Sequence, residues 1–384
     1  MVSAGDVSTE KPDLNTATMI QSARQVVGDD ETELHNLEPL KHLVRALDAE
    51  ARLTPAGRIR AQRSLIRSLV EQLETSHRIA ERPEMTNRLL RPIIITGMLR
   101  TGTTFLQHLL AQHPGIRAPT LWEMMAPARR DPPVELITQC AAYIEEYDRI
   151  APKFKHIHPL RADLPEECHR LTGNTFCDPI FALRYHVPSY AKWLDRQSMV
   201  PIYRYHRTQL QILLDRAPGD HVLLKGPSHL WYLDELAAVY PDALVVRMHR
   251  SPSVALPSVC SLTSVVRGAS ADPVDDHEIG RYWLERVTPV LKGLRRGAGP
   301  FQRPPLDIRY ADLVADPMAV VAGICAAAGL PLTGAARQRM DSYLSSGDVK
   351  GQHTYRAEQF GLRAGQLADR FSDYLDEFAI PSET

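Results

Sequence analysis

The 384-residue chain reads as α/β: a P-loop-like parallel sheet flanked by helices, with an N-terminal helical extension and a helical insertion. Three observations predict this. Short, nearly continuous apolar strands fit a sheet covered on both faces rather than one with a wet face. Helical patterns follow three of those strands, the alternation that a parallel sheet requires. The first strand runs into a glycine-bounded loop that opens a helix, a layout in which backbone N–H groups and a helix N-terminus face an anion.

Residues 1–90 form the extension. Asp13 to Val26 and Leu34 to Asp48 predict helices. A longer one runs from Thr54 to Ala80, with Ile59, Leu65, Ile66, Leu69, Val70 and Leu73 on a helical period. Thr54-Pro55 marks its start, with proline at the first helical position, and Arg82-Pro83 its end. The segment carries no chemical motif. It reads as a helical layer over one face of the sheet, or as an acceptor-binding or dimerisation element.

The α/β part covers residues 91–384 and opens with Pro92-Ile93-Ile94-Ile95-Thr96-Gly97-Met98-Leu99-Arg100-Thr101-Gly102-Thr103-Thr104. The glycine spacing matches the triphosphate-binding form G-x-x-x-x-G-K-[ST] except at one position. The lysine that reaches the β- and γ-phosphates is Thr103 here, and the cation stands upstream at Arg100. The loop keeps a cradle for a nucleotide 5′-phosphate without the triphosphate grip, so the expected donor is not ATP. Further strands are predicted at Val222 to Lys225, Ala243 to Met248 and Leu306 to Tyr310. Helices are predicted at Thr104 to Gln112, Leu230 to Val239 and Asp312 to Ala328. Ligands of such sheets bind beyond the strand C-termini. That rule gathers the glycine loop, Lys225 and Arg250 at one edge.

Between residues 115 and 215 the pattern is irregular, proline-rich and then helical, with many aromatics and histidines. It suits an acceptor pocket, and equally a helical cap with ordinary aromatic packing. Residues 341–384 read as a C-terminal lid and helix.

Composition narrows the function. With 45 basic and 46 acidic residues the formal net charge is −1, which gives no field for nucleic acid or anionic membrane. No apolar run approaches the ~18 residues of a transmembrane helix. No secretory signal is visible at Met1 to Glu10. The five cysteines, Cys140, Cys168, Cys177, Cys260 and Cys325, are scattered and form no C-x-x-C pair. They read as reduced core thiols of a cytoplasmic protein, without a metal site.

A second signal is Arg247-Met248-His249-Arg250-Ser251-Pro252-Ser253. A strand ends there and a helix starts near Ser251 or Pro252, which sets Ser258 about two turns further on. An arginine at a strand end and a hydroxyl on the next helix can reach one phosphate together, the arginine through bidentate charge-assisted bonds.

Together these segments resemble the sulfotransferases that use 3′-phosphoadenosine 5′-phosphosulfate (PAPS). Pro92 to Leu106 is similar to their 5′-phosphosulfate loop, and Arg250 with Ser258 to their 3′-phosphate pair. Leu223-Leu224-Lys225-Gly226-Pro227-Ser228-His229-Leu230 resembles a K-x-P-x-H-L motif of a bacterial branch. Tyr310 to Pro317 resembles that branch's Y-x-D-L-x-x-D-P segment, and Val349 to Tyr355 its lid, where Lys350-Gly351 would cover the 3′-phosphate. Arg100 replaces the loop lysine of many cytosolic members, and the lid lacks the flanking arginine and the tryptophan of animal members.

The resemblance implies transfer of a sulfuryl group from PAPS to a hydroxyl or amine of a small-molecule or lipid-like acceptor, releasing adenosine 3′,5′-bisphosphate (PAP) without a metal. Donor contacts would be Arg100, Thr101, Gly102, Thr103, Thr104, Arg250, Ser258, Lys350 and Gly351. Arg100 and Lys225 would face the leaving oxygen. The base would be Glu167, in Pro165-Glu166-Glu167-Cys168, or His229; Glu167 is slightly favoured. A P-loop kinase would need lysine at 103 and an acidic strand end for Mg²⁺. A non-catalytic nucleotide-binding protein would keep the cradle alone. A homodimer fits the sequence but nothing in it requires one.

Overall fold

The computed structural model of the chain describes residues 14–216, 221–346 and 356–381. The β-branched runs become the strands: β1 Pro92–Gly97, β2 Ile116–Arg117, β3 His221–Lys225, β4 Leu244–His249 and β5 Leu306–Arg309. They form one sheet in the order β2-β3-β1-β4-β5, every pairing parallel. Ile95 lies opposite Lys225, and Gly97 opposite Met248. This register brings the C-terminal ends of β1, β3 and β4 to one edge.

Both faces of the sheet are buried, as the unbroken apolar strands imply. Ile94, Leu224 and Val245 belong to one core, and Ile93, Ile95, Leu223 and Val246 to another across the sheet. The first core also contains the N-terminal helices α1 Thr16–Val27, α2 Glu38–Ala49 and α3 Pro55–Glu81, through Leu40, Leu43, Leu65, Leu69 and Leu73. The extension is therefore packed into the sheet's own core. Thr54 caps α3, its hydroxyl accepting from the Gly57 N–H at 3.0 Å. Gly57 lies so close to Ser270 that a Cβ would stand 1.9 Å from the Ser270 carbonyl oxygen. That contact locks the start of α3 beside the end of the helix Pro252–Gly268.

Several predicted elements are corrected. Leu230 to Val239 is not one helix: Pro227–Trp231 is a 3₁₀ turn, and the α-helix is Leu233–Val239. Asp312 to Ala328 is broken into Tyr310–Ala315 and Pro317–Ala328. Pro317 has no N–H to continue the first, and Asp316 caps the second by accepting from the Ala319 N–H at 2.9 Å. The last strand stops at Arg309 because Tyr310 already starts a helix. The two-residue β2 and the long helix Asp276–Gly293 are additions that the sequence reading did not contain.

At the C-terminus, short helices Ala364–Arg370 and Ser372–Glu377 return to the sheet edge. Phe378 stacks on His249 with ring centroids 3.9 Å apart, and the Tyr374 hydroxyl meets His249 Nδ1 at 2.9 Å. Lys350 and Gly351 lie outside the described residues. No helix among the described residues is long and apolar enough to cross a membrane.

Candidate active site

The loop after β1 is shaped by backbone conformations that few residues adopt. Gly97 has φ +143° and lies against β4, where a Cβ would come within 2.5 Å of the Met248 carbonyl oxygen. Gly102 has φ +90°, and a Cβ there would meet the Tyr310 ring at 2.8 Å. Between them Arg100 holds φ +71°, a left-handed conformation costly for a non-glycine residue. Thr101 closes the turn, its hydroxyl donating to the Met98 carbonyl at 2.7 Å. Gly102 then caps helix α4 Thr103–Leu110, so Thr103 and Thr104 form its first turn.

Arg100 Nε donates to Ser258 Oγ at 3.1 Å and its Nη1 to the Ile157 carbonyl at 3.1 Å. Arg250, just past β4, donates to the Arg100 carbonyl at 3.2 Å and lies over the Tyr310 ring, 4.0 Å from its centre. The structure thus brings Arg100, Arg250 and Ser258 together beside the glycine loop. Arg100 points to the Ser258 side of the site.

Lys225 ends β3 with 1% of its surface exposed. Its Nζ donates to Thr104 Oγ1 at 3.1 Å and to Glu167 Oε1 at 2.7 Å. Backbone bonds fix the partner: the Cys168 N–H donates to the Lys225 carbonyl at 2.8 Å, and the Glu166 N–H to the Pro119 carbonyl at 3.3 Å. Gln107 on α4 holds the same strap through the Glu166 carbonyl at 3.1 Å. Burial opposes ionisation of Glu167, but the Lys225 ammonium and His169 outweigh it and hold the carboxyl well below its usual value. His169 Nδ1 lies 3.3 Å from Glu167 Oε2. Burial lowers the His169 pKa to about 4, which leaves a neutral imidazole at neutral pH.

His229 is elsewhere. Its Nδ1 meets the Tyr203 hydroxyl at 2.9 Å, and its Nε2 is buried without a hydrogen-bond partner among the described residues, beside Gly226, where a Cβ would stand 2.5 Å from it. Burial lowers its pKa to about 4. The ring lies among Tyr203 and His206.

Glu167 and His169 open onto a cavity of about 380 Å³. Apolar walls come from the insertion and from Leu262 and Val266 of the helix Pro252–Gly268; a polar wall comes from Arg60, Arg63 and Arg67 of α3. A smaller cavity of about 40 Å³, lined by Pro227, Ser228 and Trp231, shares Leu99, Glu167 and His169 with it. His229 lines neither. Sequence reasoning missed His169 and the α3 arginines. The signal for the latter was present: residues 60, 63 and 67 recur at helical spacing and share one face.

A sequence model described as the sulfotransferase family matches residues 92–334 of this chain. The chain belongs to that family. The match begins at the first residue of β1 and so leaves out the N-terminal helices that supply the arginine wall. Among curated relatives, the omega-hydroxy-beta-dihydromenaquinone-9 sulfotransferase Stf3 of Mycobacterium bovis is 26% identical over 245 residues. The same protein of Mycobacterium tuberculosis matches equally. The match spans 59% of this chain and 59% of the length of these relatives. Solved structures extend the likeness to the whole fold. Sulfotransferase STF1 of Mycobacterium tuberculosis covers 95% of this chain and 100% of its own, at 30% identity and a TM-score of 0.80. Sulfotransferase STF9 of Mycobacterium avium covers 98% and 99%, at 27% identity and a TM-score of 0.84. The parallel sheet flanked by helices is therefore the sulfotransferase fold, N-terminal helices included.

Proposed function

We propose that this chain transfers a sulfuryl group from PAPS to a hydroxyl or amine of a small-molecule or lipid-like acceptor bound in the larger cavity. One observation carries the reading: Lys225 bonds Thr104 of the phosphate-type loop on one side and Glu167 of the cavity wall on the other. A donor held by the loop and an acceptor held in the cavity would meet at that lysine.

The residues present fit PAPS. A glycine cradle that a Cβ would fill, with Arg100, Arg250 and Ser258 beside it, suits a nucleotide phosphorylated at two places. When bound, PAPS supplies the sulfuryl group and a phosphate leaving group. Thr103, Thr104 and the loop N–H groups would hold the 5′ side, and Arg250 and Ser258 the 3′-phosphate. Lys225 would stabilise negative charge at the leaving oxygen, a use of fixed cations that gains strength in a buried site. Glu167 would orient the acceptor and take its proton at Oε1 or Oε2. A kinase reading has no lysine at position 103 to support it. An apolar cavity wall, and relatives named for a menaquinone-type alcohol, support a lipid-like acceptor.

A second reading of the base rests on His169. A neutral imidazole on the cavity wall, with Nδ1 held by Glu167, can accept a proton at Nε2 while Glu167 orients it. Turnover of labelled PAPS with a panel of alcohols and phenols tests both. Glu167→Gln should lower kcat by ~10²–10⁴ and leave PAP affinity unchanged. A phenol already ionised at the assay pH should rescue a true base variant. Rescue of His169→Asn but not of Glu167→Gln moves the role to His169. Turnover of Glu167→Gln equal to that of the parent with un-ionised acceptors rules out Glu167 altogether.

A further inference from the structure

The lining of the larger cavity carries more cation than the reaction needs. Five arginines and three glutamates line it. Two of the glutamates are engaged: Glu167 with Lys225 at 2.7 Å, and Glu166 with Arg170 at 3.8 Å. Arg67 and Arg184 have no ion-pair partner among the described residues. Arg67 and Arg170 instead face one ring: their guanidinium carbons lie 5.5 and 5.4 Å from the centre of Tyr143, and Arg170 Nη1 donates to the Tyr143 hydroxyl at 3.2 Å.

Such an arrangement is costly when nothing answers it. A guanidinium does not shed its charge at any pH a protein meets, so burial without an anion is an uncompensated penalty. Glu71, behind Arg67, does not answer it, because burial raises its pKa to about 8 and keeps it protonated at neutral pH. Burial should also make Tyr143 a weaker acid, yet Arg170, Arg184 and Arg67 hold its pKa below the usual value, a sign of the positive field at that wall. Arg60 and Arg63 extend the same field along α3.

We infer that the acceptor carries an oxyanion, a carboxylate or a phosphate, held by Arg67, Arg184 and Arg170 around Tyr143, while its apolar body lies on Leu160, Leu183 and Val266 and its hydroxyl reaches Glu167. The acceptor class is then an amphipathic hydroxy acid or hydroxyalkyl phosphate rather than a neutral lipid alcohol. This rests on the sulfotransferase reading for the role of the hydroxyl, but not for the anion site. A planar fork of donors binds either oxyanion in two-point fashion.

The test compares ω-hydroxyalkanoates of graded chain length with their methyl esters and with the matching ω-hydroxyalkyl phosphates, using labelled PAPS. The acid or the phosphate should exceed the ester ~10- to 100-fold in kcat/KM, the range of hydrogen bonds to charged groups. Whichever of the two leads names the anion. Arg67→Met and Arg184→Met should bring that ratio towards one, and Arg67→Lys and Arg184→Lys should keep most of it. PAP binding followed by thermal shift shows which variants are folded. Ratios near one in the parent enzyme, or unchanged in the methionine variants, overturn the inference while leaving sulfuryl transfer intact. If no acceptor is turned over, the sulfotransferase reading fails by itself. Calorimetry of alkanoates against their methyl esters on the PAP-loaded protein then decides the anion site: preferential binding of the acid, lost in Arg67→Met, supports it, and equal binding refutes it.

Discussion

The sheet edge proposed to hold the donor and the cavity proposed to hold the acceptor are built in different ways. The donor edge comes from short contiguous motifs at the ends of parallel strands. Gly97, Arg100, Thr101, Gly102, Thr103 and Thr104 form one stretch from the end of β1 into the first turn of α4, and Arg250 sits one residue past β4. Backbone geometry fixes them, and a side chain added at Gly97 or Gly102 has no room. The cavity is assembled from separate stretches: α3, the insertion around Tyr143 and Glu167, the segment at Ile180 to Tyr185, and the helix Pro252–Gly268. Side-chain packing fixes it. The proposed donor site is thus held by strand register and backbone, and the cavity by the packing of side chains from separate segments. Lys225 is where the two meet.

If the halves are separable, damage to one should spare the other. Arg250→Ala should weaken PAP binding by ~1.5–3 kcal/mol, the range for charge-assisted hydrogen bonds, and barely change binding of adenosine 5′-phosphate. Acceptor KM should hold. Calorimetry with the two nucleotides checks this, and equal losses for both would detach Arg250 from the 3′ position.

A smaller effect concerns what belongs to neither half. His206 and His229 are buried and neutral, with pKa values lowered by burial to about 3 and about 4. Their folded values lie below the unfolded value near 6.5, so the unfolded chain binds more protons as the solution becomes acidic. The stability they contribute is complete above pH ~6.5 and is lost as the pH falls from there towards 4. Each should cost about 2 kcal/mol between pH 7 and pH 5. Glu71, its pKa raised to about 8 by burial, shifts stability the opposite way over this range, so the share of His229 is read by comparing urea denaturation of the parent and of His229→Gln at the two pH values. An equal pH dependence in both would contradict the burial of His229 and return it to candidacy as a base.

The smallest effect sharpens the acceptor side. Tyr143→Phe keeps the ring that Arg67 and Arg170 face and removes only the hydroxyl that Arg170 bonds. Acceptor KM should rise by a factor of ~2–10, the range of one hydrogen bond, with PAP binding unchanged. A change in PAP binding would show that the halves are coupled through the insertion.

This contrast also explains what the sequence made legible. Pro92 to Thr104, Lys225 and Arg250 were readable because strand period, glycine spacing and the strand-end rule are local signals. The sheet followed, since both-sided burial leaves unbroken apolar runs such as Ile93-Ile94-Ile95. The helix breaks at Tyr232 and Pro317 were misjudged because apolar periodicity runs through both; at Pro317 the missing N–H of proline overrides it. The role of the N-terminal extension was left open between a covering layer and an acceptor-binding or dimerisation element. Leu65 and Leu69 of α3 pack in the sheet's core, and Arg63 and Arg67 line the cavity proposed for the acceptor. His169 was invisible because its meaning depends on Glu167 and on a cavity assembled from distant segments.

If Lys225 joins donor and acceptor, its loss should slow transfer without loosening the nucleotide. The direct measurement is single-turnover transfer from labelled PAPS by Lys225→Met, with PAP affinity measured on the same preparation. The expected result is a fall of ~10²–10³ in the transfer rate, the loss typical of one donor aimed at developing charge, with PAP affinity within a few-fold of the parent. A variant that transfers at the parent rate, or that loses PAP binding in proportion to its rate, would contradict it.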